Sequence, residues 1–268
     1  MPAPHFIRIA QDGPVRTLTL HRPEALNSLH GAMHAELRAA LDDAAGDAGV
    51  RCLVLAAAGR AFCAGQDLAD PRVAPDDAPG AAPRDLGTAI ERDWRPLALR
   101  LRSMPVPTVA AVQGVAAGAG ASLALHCDLV LAARSATFVQ AFARIGLVPD
   151  TGATWLLPRL VGRANALALA MLGDKLPAAE AQAMGLVWKC VDDAALADEA
   201  RATAARLAAL PTRALVATRH AIDAAWARDL PAALDAETAA QRALGAAADY
   251  AEGVRAFREK RAPVFADR

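Results

Sequence analysis

The sequence predicts an α/β fold in which units of strand, strand and helix repeat over residues 1–200, followed by a helical region over 201–268. Three features carry that expectation. Compact apolar runs alternate with segments of helical period. The stretch from Ser103 to Cys127 has no Asp, Glu, Lys or Arg, yet Pro105, Pro107, Gly114, Gly118 and Gly120 cut it into short pieces. Beyond Pro211 the pattern becomes helical throughout. Identity between the units is too weak for a repeat to be read from the residues alone.

Taken in order, Phe6–Ala10 and Val15–Leu20 flank Gln11-Asp12-Gly13-Pro14 and read as a β-hairpin. A helix over Leu29–Ala45 follows from Leu29, Met33, Leu37 and Leu41 at i, i+4 spacing. Cys52–Ala56, bounded by Gly49 and Gly59, reads as a buried strand. Between Asp70 and Arg84, prolines at 71, 75, 79 and 83 and the acids Asp70, Asp76 and Asp77 predict a mobile surface loop of the lid type. Val109–Val112 is a strand, Ala119–His126 a short helix and Leu129–Ala132 a strand. A helix near Ala153–Leu157 follows Asp150. The tail reads as helices over Leu215–Trp226, Ala232–Gly245 and Tyr250–Lys260. Leu215, Ile222, Trp226 and Leu234 are too apolar for water, so they are expected to bury against a core or a neighbouring subunit.

Composition narrows the function classes. With 268 residues, 54% of them hydrophobic and 22% charged, the chain has a core to bury and is not disordered. Equal counts of 29 basic and 29 acidic residues and 4% aromatics supply neither the field nor the stacking surface of a nucleic-acid binder. Cys52, Cys63, Cys127 and Cys190 form no C-x-x-C pair and read as free thiols. The start, MPAPHFIRIA, lacks a secretory pattern, which with the thiols predicts the cytoplasm. Ser103–Cys127, at roughly 25 residues, has the length of a bilayer span. Its breakers and its lack of interfacial aromatics favour a buried strand and its following helix, with no membrane contact.

Several constellations invite chemistry. His30 and His34 stand at i, i+4, but no third ligand accompanies them, so a solvent-facing helix surface is expected and no metal. Ser122, His126 and Asp128 cluster without a G-x-S-x-G elbow and read as incidental. Gly118-Ala119-Gly120 begins like a dinucleotide fingerprint, but Leu123 replaces its third glycine and Gln140 its ribose-binding acid. A second turn of the same kind, Cys63-Ala64-Gly65-Gln66-Asp67-Leu68, also follows a buried strand. Two such turns can aim two peptide N–H groups at one oxygen, as an oxyanion hole requires. Asp150, ahead of a helix, reads by itself as an N-cap.

The segments RPEALNSL at 22–29, AFCAGQDL at 61–68, QGVAAGAGASLALHCD at 113–128, IGLVPDTG at 145–152 and EKR at 259–261 resemble the enoyl-CoA hydratase/isomerase, or crotonase, superfamily. Within it, GVAAGAG, FVQAF, IGLVPD and WLLPRLVGR look most like the 1,2-epoxyphenylacetyl-CoA isomerases of phenylacetate degradation. The resemblance implies a crotonase-type spiral of ββα repeats with a C-terminal helical trimerisation region, assembled as a homotrimer or dimer of trimers. It implies an oxyanion hole from the backbone N–H groups of Gln66 and Ala119, holding the carbonyl of an acyl-CoA thioester. By the same resemblance Ala25, Leu26, Ala64, Asp67 and Leu68 border the CoA path, and Phe142 the substrate. Phe257 and Lys260 match positions that cover a pantetheine or meet a phosphate, although Lys260 also reads as a solvated helix-end cation. Ser122 and Phe142 stand where hydratases carry their two glutamates, and Asp150 stands where isomerases carry a carboxylate. A catalytic Asp150 is then expected, with isomerisation as the activity and no metal or redox cofactor. A Δ3,Δ2-enoyl-CoA isomerase acting on linear chains needs the same parts. A hydratase, or a non-catalytic acyl-CoA-binding protein, fits less well.

Overall fold

The computed structural model describes residues 6–76 and 78–268. The first five residues of the amino-terminal segment and Asp77 of the proline-rich loop lie outside them. The hairpin forms as expected: β1 (Ile7–Asp12) pairs antiparallel with β2 (Val15–Leu20), Asp12 opposite Val15. Pairing runs past Ala10 and leaves Gly13 and Pro14 as the turn. After a 3₁₀ turn at Pro23–Ala25, α1 (Gly31–Gly46) buries Met33, Leu37 and Leu41 along one face. Leu29 is not helical but bridges to Gln66, and the ring of His30 caps α1 by accepting from the Met33 N–H.

Three strand-strand-helix units follow. β3 (Cys52–Ala57) and β4 (Ala61–Cys63) lead to α2 (Leu86–Ala89), a π-helical turn (Ile90–Trp94) and α3 (Arg95–Arg102). β5 (Thr108–Val112) and β6 (Val115–Ala117) lead to α4 (Ala119–Leu125). β7 (Leu129–Ala133) and β8 (Thr137–Val139) lead to a 3₁₀ turn (Ala141–Ile145) and α5 (Ala153–Leu172). The chain continues through β9 (Lys175–Pro177), α6 (Ala178–Ala183), β10 (Lys189–Val191) and α7 (Leu196–Ala208).

The first strand of each unit joins one sheet, ordered β1-β2-β3-β5-β7-β10, and the second joins another, ordered β4-β6-β8-β9. From β2 to β10, and from β4 to β8, neighbours run parallel. Each unit therefore advances one strand along both sheets, which is the spiral. β4, β6 and β8 have three residues each, too few for a periodic pattern to register in sequence. Every residue of β5 is buried, as a parallel strand covered on both faces should be. The uncharged Ser103–Cys127 stretch is consumed by β5, β6 and α4. No helix among the described residues is long and apolar enough to cross a membrane.

Three local expectations change. The described residues of the loop over 70–84 form no helix or strand, but the first of them are anchored. Asp70 is buried, accepts from the Gly31 N–H at 3.1 Å and pairs with Arg72 at 2.6 Å, which reaches Asp93 at 3.0 Å. His34 is not solvent-facing: it is fully buried, its ring edge-on to Trp94 at 4.5 Å. The helix after Asp150 runs to Leu172, two helical pieces joined at Gly162, where φ is 74°.

The boundary at 200/201 falls inside α7, which packs on β3, β5 and β7. α8 (Thr212–Ala225), α9 (Leu230–Gly245) and α10 (Ala248–Glu259) then pack mainly on one another. Buried Arg219 of α8 ties this group to the spiral, donating to Asp128 at 3.0 Å and to the Met104 carbonyl. The expected apolar residues are not covered by the chain's own core: Leu215 is half-buried, while Ile222 is 61%, Trp226 63% and Leu234 51% exposed. Residues 262–268 turn back, and Arg268 donates to the Ala44 and Ala45 carbonyls at 2.8 and 2.9 Å.

Candidate active site

Strands β4 and β6 are parallel neighbours, so the turns that leave their carboxyl ends emerge side by side. The first, Ala64–Gly65–Gln66, is sewn to the segment before α1. Ala64 N–H donates to the Leu26 carbonyl (3.0 Å), Leu29 N–H to the Gly65 carbonyl (2.8 Å) and Asp67 N–H to the Leu29 carbonyl (2.9 Å). This parallel bridging uses the groups on either side of Gln66 and turns its own N–H away from Leu29. The Gln66 N–H donates to no group of the described residues.

The second turn, Gly118–Ala119, starts α4. Gly118 has φ 53° and ψ −127°, a conformation open to glycine alone, and its N–H donates to the Val139 carbonyl at 2.8 Å. Ala121 and Ser122 N–H both donate to the Gly118 carbonyl, so the Ala119 N–H, at the first helical position, is left without a partner among the described residues. The two turns touch. A Cβ on Gly65, where φ is +91°, would lie 2.9 Å from the Ala117 oxygen and 3.3 Å from the Ala119 nitrogen. Gly65 is therefore required by both backbone conformation and close approach. The structure thus brings Gln66 and Ala119 together.

Asp150 stands beyond the amino end of α5 without capping it. Gly152 occupies the cap position, and the Asp150 carboxylate accepts from Thr151 Oγ1 at 2.9 Å. The N-cap expectation fails because left-handed Thr151 and Gly152, φ 50° and 76°, turn the chain between Asp150 and the helix. Burial pushes the Asp150 carboxyl above its ordinary range, against the weaker, opposing effect of the Thr151 hydrogen bond. The turn is tied to α4 by His126, whose Nε2 donates to the Thr151 carbonyl at 2.9 Å; Ser122 Oγ lies 3.3 Å from the Gly118 carbonyl and 3.5 Å from that of Asp150. Ser122 and His126 thus serve the backbone, and Asp128 is spent on Thr108 and Arg219, so these three residues form no hydrolytic triad.

The remaining expected residues sort by place. Phe142 is buried, with its ring 3.5 Å from where a Cβ of Gly118 would stand, at the second turn. Ala25, Leu26 and Ala64 are part-buried beside the first turn. Leu68 is 60% exposed, and Asp67 is committed to Arg22 at 2.6 Å. Phe257 is 85% exposed and lines, with Ile222, Leu244 and Tyr250, a groove of about 670 Å³ among α8, α9 and α10 rather than a wall of the two turns. Lys260 ends α10 in a left-handed conformation.

Three supports escaped the sequence reading. Trp94 Nε1–H donates to Gln66 Oε1 at 2.8 Å. Buried Asn27, with φ 55°, donates to the Ala58 and Ala61 carbonyls at 2.8 and 2.9 Å and accepts from the Arg22 N–H at 2.8 Å. The third is the hold of His126 on the Thr151 carbonyl. All three act on residues far away in sequence, where no local pattern signals them. Cys63, beside the first turn, is a free buried thiol pushed up to about 12 by burial, which disfavours the thiolate that a nucleophile needs. No group of three or more His, Cys, Asp or Glu among the described residues is placed to hold a metal.

Residues 11–268 match the model of the enoyl-CoA hydratase/isomerase family. The chain is 52% identical over 260 residues to a 1,2-epoxyphenylacetyl-CoA isomerase of Escherichia coli strain K12, covering 97% of this chain and 98% of that one. It is 47% identical over 265 residues to a Rhodobacter capsulatus protein named "Probable enoyl-CoA hydratase", covering 98% and 99%. A crystal structure of a "putative Enoyl-CoA hydratase/isomerase" from Mycobacterium abscessus superposes with a TM-score of 0.91 at 38% identity, covering 98% of this chain and 100% of that one. With its two-sheet spiral and paired glycine turns, the chain belongs to the enoyl-CoA hydratase/isomerase family, the crotonase superfamily, and is an enzyme of the isomerase class.

Proposed function

We propose that the protein isomerises an aromatic-derived epoxy acyl-CoA thioester, 1,2-epoxyphenylacetyl-CoA, to the seven-membered oxepin-CoA. The observation that carries this reading is the part-buried carboxylate of Asp150, tied through α4 to the turn that bears one of two N–H groups without a partner among the described residues. By the motif resemblance Ser122 and Phe142 stand where a hydratase carries its two glutamates, and neither exchanges protons at neutral pH. One base and an oxyanion hole suit proton transfer, whereas adding water needs groups to hold and activate it. The aromatic substrate is supported by the 52% identical relative of that name.

In this mechanism the thioester oxygen accepts from the Gln66 and Ala119 N–H groups, each worth roughly 3 kcal/mol at the transition state. Asp150 takes a proton from the carbon next to the thioester. The enolate electrons pass into the ring, the bond between the two epoxide carbons breaks, and the proton returns at a ring carbon. No atom or electron is gained or lost, so the reaction calls for no redox cofactor or co-reactant, and the two N–H groups do the work for which a metal would otherwise serve. A carboxyl raised by burial is a stronger base than an ordinary one and accepts the proton more readily.

Ala25, Leu26, Ala64, Asp67, Leu68 and Phe142 would line the path of the ester. Phe257, which lines the groove among α8, α9 and α10, and Lys260 at the end of α10 would close a neighbouring subunit's site in a homotrimer or dimer of trimers, which would also cover Ile222, Trp226 and Leu234. Free thiols fit a reducing cytoplasm. A linear 3-enoyl-CoA would use the same base and hole. The two readings separate by assay of both esters with purified protein: faster turnover of the epoxide is expected, and an equal or faster rate on the linear ester would overturn the choice.

A further inference from the structure

We infer that His126 is a positioning residue: by donating from Nε2 to the Thr151 carbonyl it fixes the turn on which the Asp150 carboxylate stands. The inference rests on Asp150 being the base and adds the group that aims it. Thr151 is β-branched yet holds φ at +50°, a region worth of order 1–3 kcal/mol in strain, so something must over-determine it. Buried Thr151 and buried His126 meet at 2.9 Å. A carbonyl only accepts, so Nε2 carries the hydrogen. The ring also abuts Gly152, where a Cβ would stand 3.1 Å from both Cε1 and Nε2.

The bond is a directed neutral one rather than a charge. Nδ1 is buried without a partner among the described residues, and burial pulls the ring's pKa to about 4, so the uncharged tautomer persists at neutral pH. Of the charged groups nearby, Arg102 of α3 and Asp223 of α8 are paired with each other. No proton passes through His126, since its partner cannot take one. The consequence lies in α4, a rigid piece about 10 Å long. Ala119 at its start carries one oxyanion N–H, and His126 at its end holds the turn of the base. Donor and base are thereby set by one helix.

The test compares His126→Leu, His126→Gln and Asp150→Asn, using whichever of 1,2-epoxyphenylacetyl-CoA and a linear 3-enoyl-CoA the wild type turns over faster. His126→Leu removes the donor and should lower kcat roughly 10–100-fold while KM stays within about twofold, as misplacement of a reacting group does. His126→Gln, which places an amide donor at similar reach, should return kcat to within about threefold of wild type. Should His126→Leu fail to fold, His126→Asn, too short to reach Thr151, takes its place with the same expected loss. An unchanged kcat in the Leu or Asn variant, or a loss that Gln does not recover, overturns the inference while leaving Asp150 as the base. Wild-type turnover by Asp150→Asn would overturn the base assignment itself, and this inference with it.

Discussion

Trp94 donates its indole N–H to Oε1 of Gln66 at 2.8 Å, linking the π-helical turn before α3 to the first of the two glycine turns. The Gln66 side chain is thereby held, while the proposed chemistry uses the backbone N–H. Gln66→Ala should keep kcat within about tenfold, whereas Gln66→Pro, which deletes the donor, should lose roughly 10²–10³. Equal losses in the two variants would place the function in the side chain instead.

Asp150→Asn should lower kcat by about 10²–10⁴ without lowering the thermal midpoint at pH 7. Because the folded state raises this carboxyl's pKa, ionising it costs the fold stability once the pH exceeds that value, and asparagine removes the cost. Paired kinetics and melting curves check this. A clear fall in midpoint would mean that the carboxylate supports the fold.

The acid limb of the pH–rate profile should report the same group. A base works deprotonated, so kcat/KM should fall as pH drops, with a midpoint above the ordinary aspartate value of 3.8 because burial opposes the charge. A limb at or below 3.8 would remove burial as the governing effect.

Stability should depend on pH through two buried histidines. His34 and His126 are both lowered from 6.5 to about 4 by burial. The unfolded chain therefore takes up protons first, and stability is intact above pH 6.5 and lost as the pH falls towards 4, on the order of 3 kcal/mol for each ring. Denaturation series at the two ends of that window measure the loss. His126→Leu should remove its own share, and an unchanged slope in that variant would contradict the assignment.

The tail can be divided by its contacts. Arg268 and Asp267 meet α1 and Arg51, so deleting 262–268 should lower the thermal midpoint. Phe257, 85% exposed, should tolerate alanine with a stability change within about 0.5 kcal/mol. If it covers a neighbour's ligand, Phe257→Ala should weaken binding of CoA, read by calorimetry, with the oligomer mass unchanged. Unaltered affinity would take the last helix out of the site.

What the sequence determined by itself is what short-range rules control. The buried parallel strands at Cys52, Val109 and Leu129, the helix through Met33, Leu37 and Leu41, and the two small-residue turns were legible because apolar period and backbone permissiveness are properties of neighbouring residues. The motif resemblance carried the family and the expected roles of Gln66, Ala119 and Asp150. Tertiary structure alone decided what depends on contacts across long stretches of chain. β4, β6 and β8 exist because a second sheet pairs them, not because three residues prefer extension. His34 turns inward because Trp94 waits there. Asp150 is no cap because Thr151 and Gly152 take left-handed angles, and the strain at Thr151 is held by a histidine 25 positions away. Local propensity cannot encode a hydrogen bond whose donor and acceptor meet only after the spiral has closed.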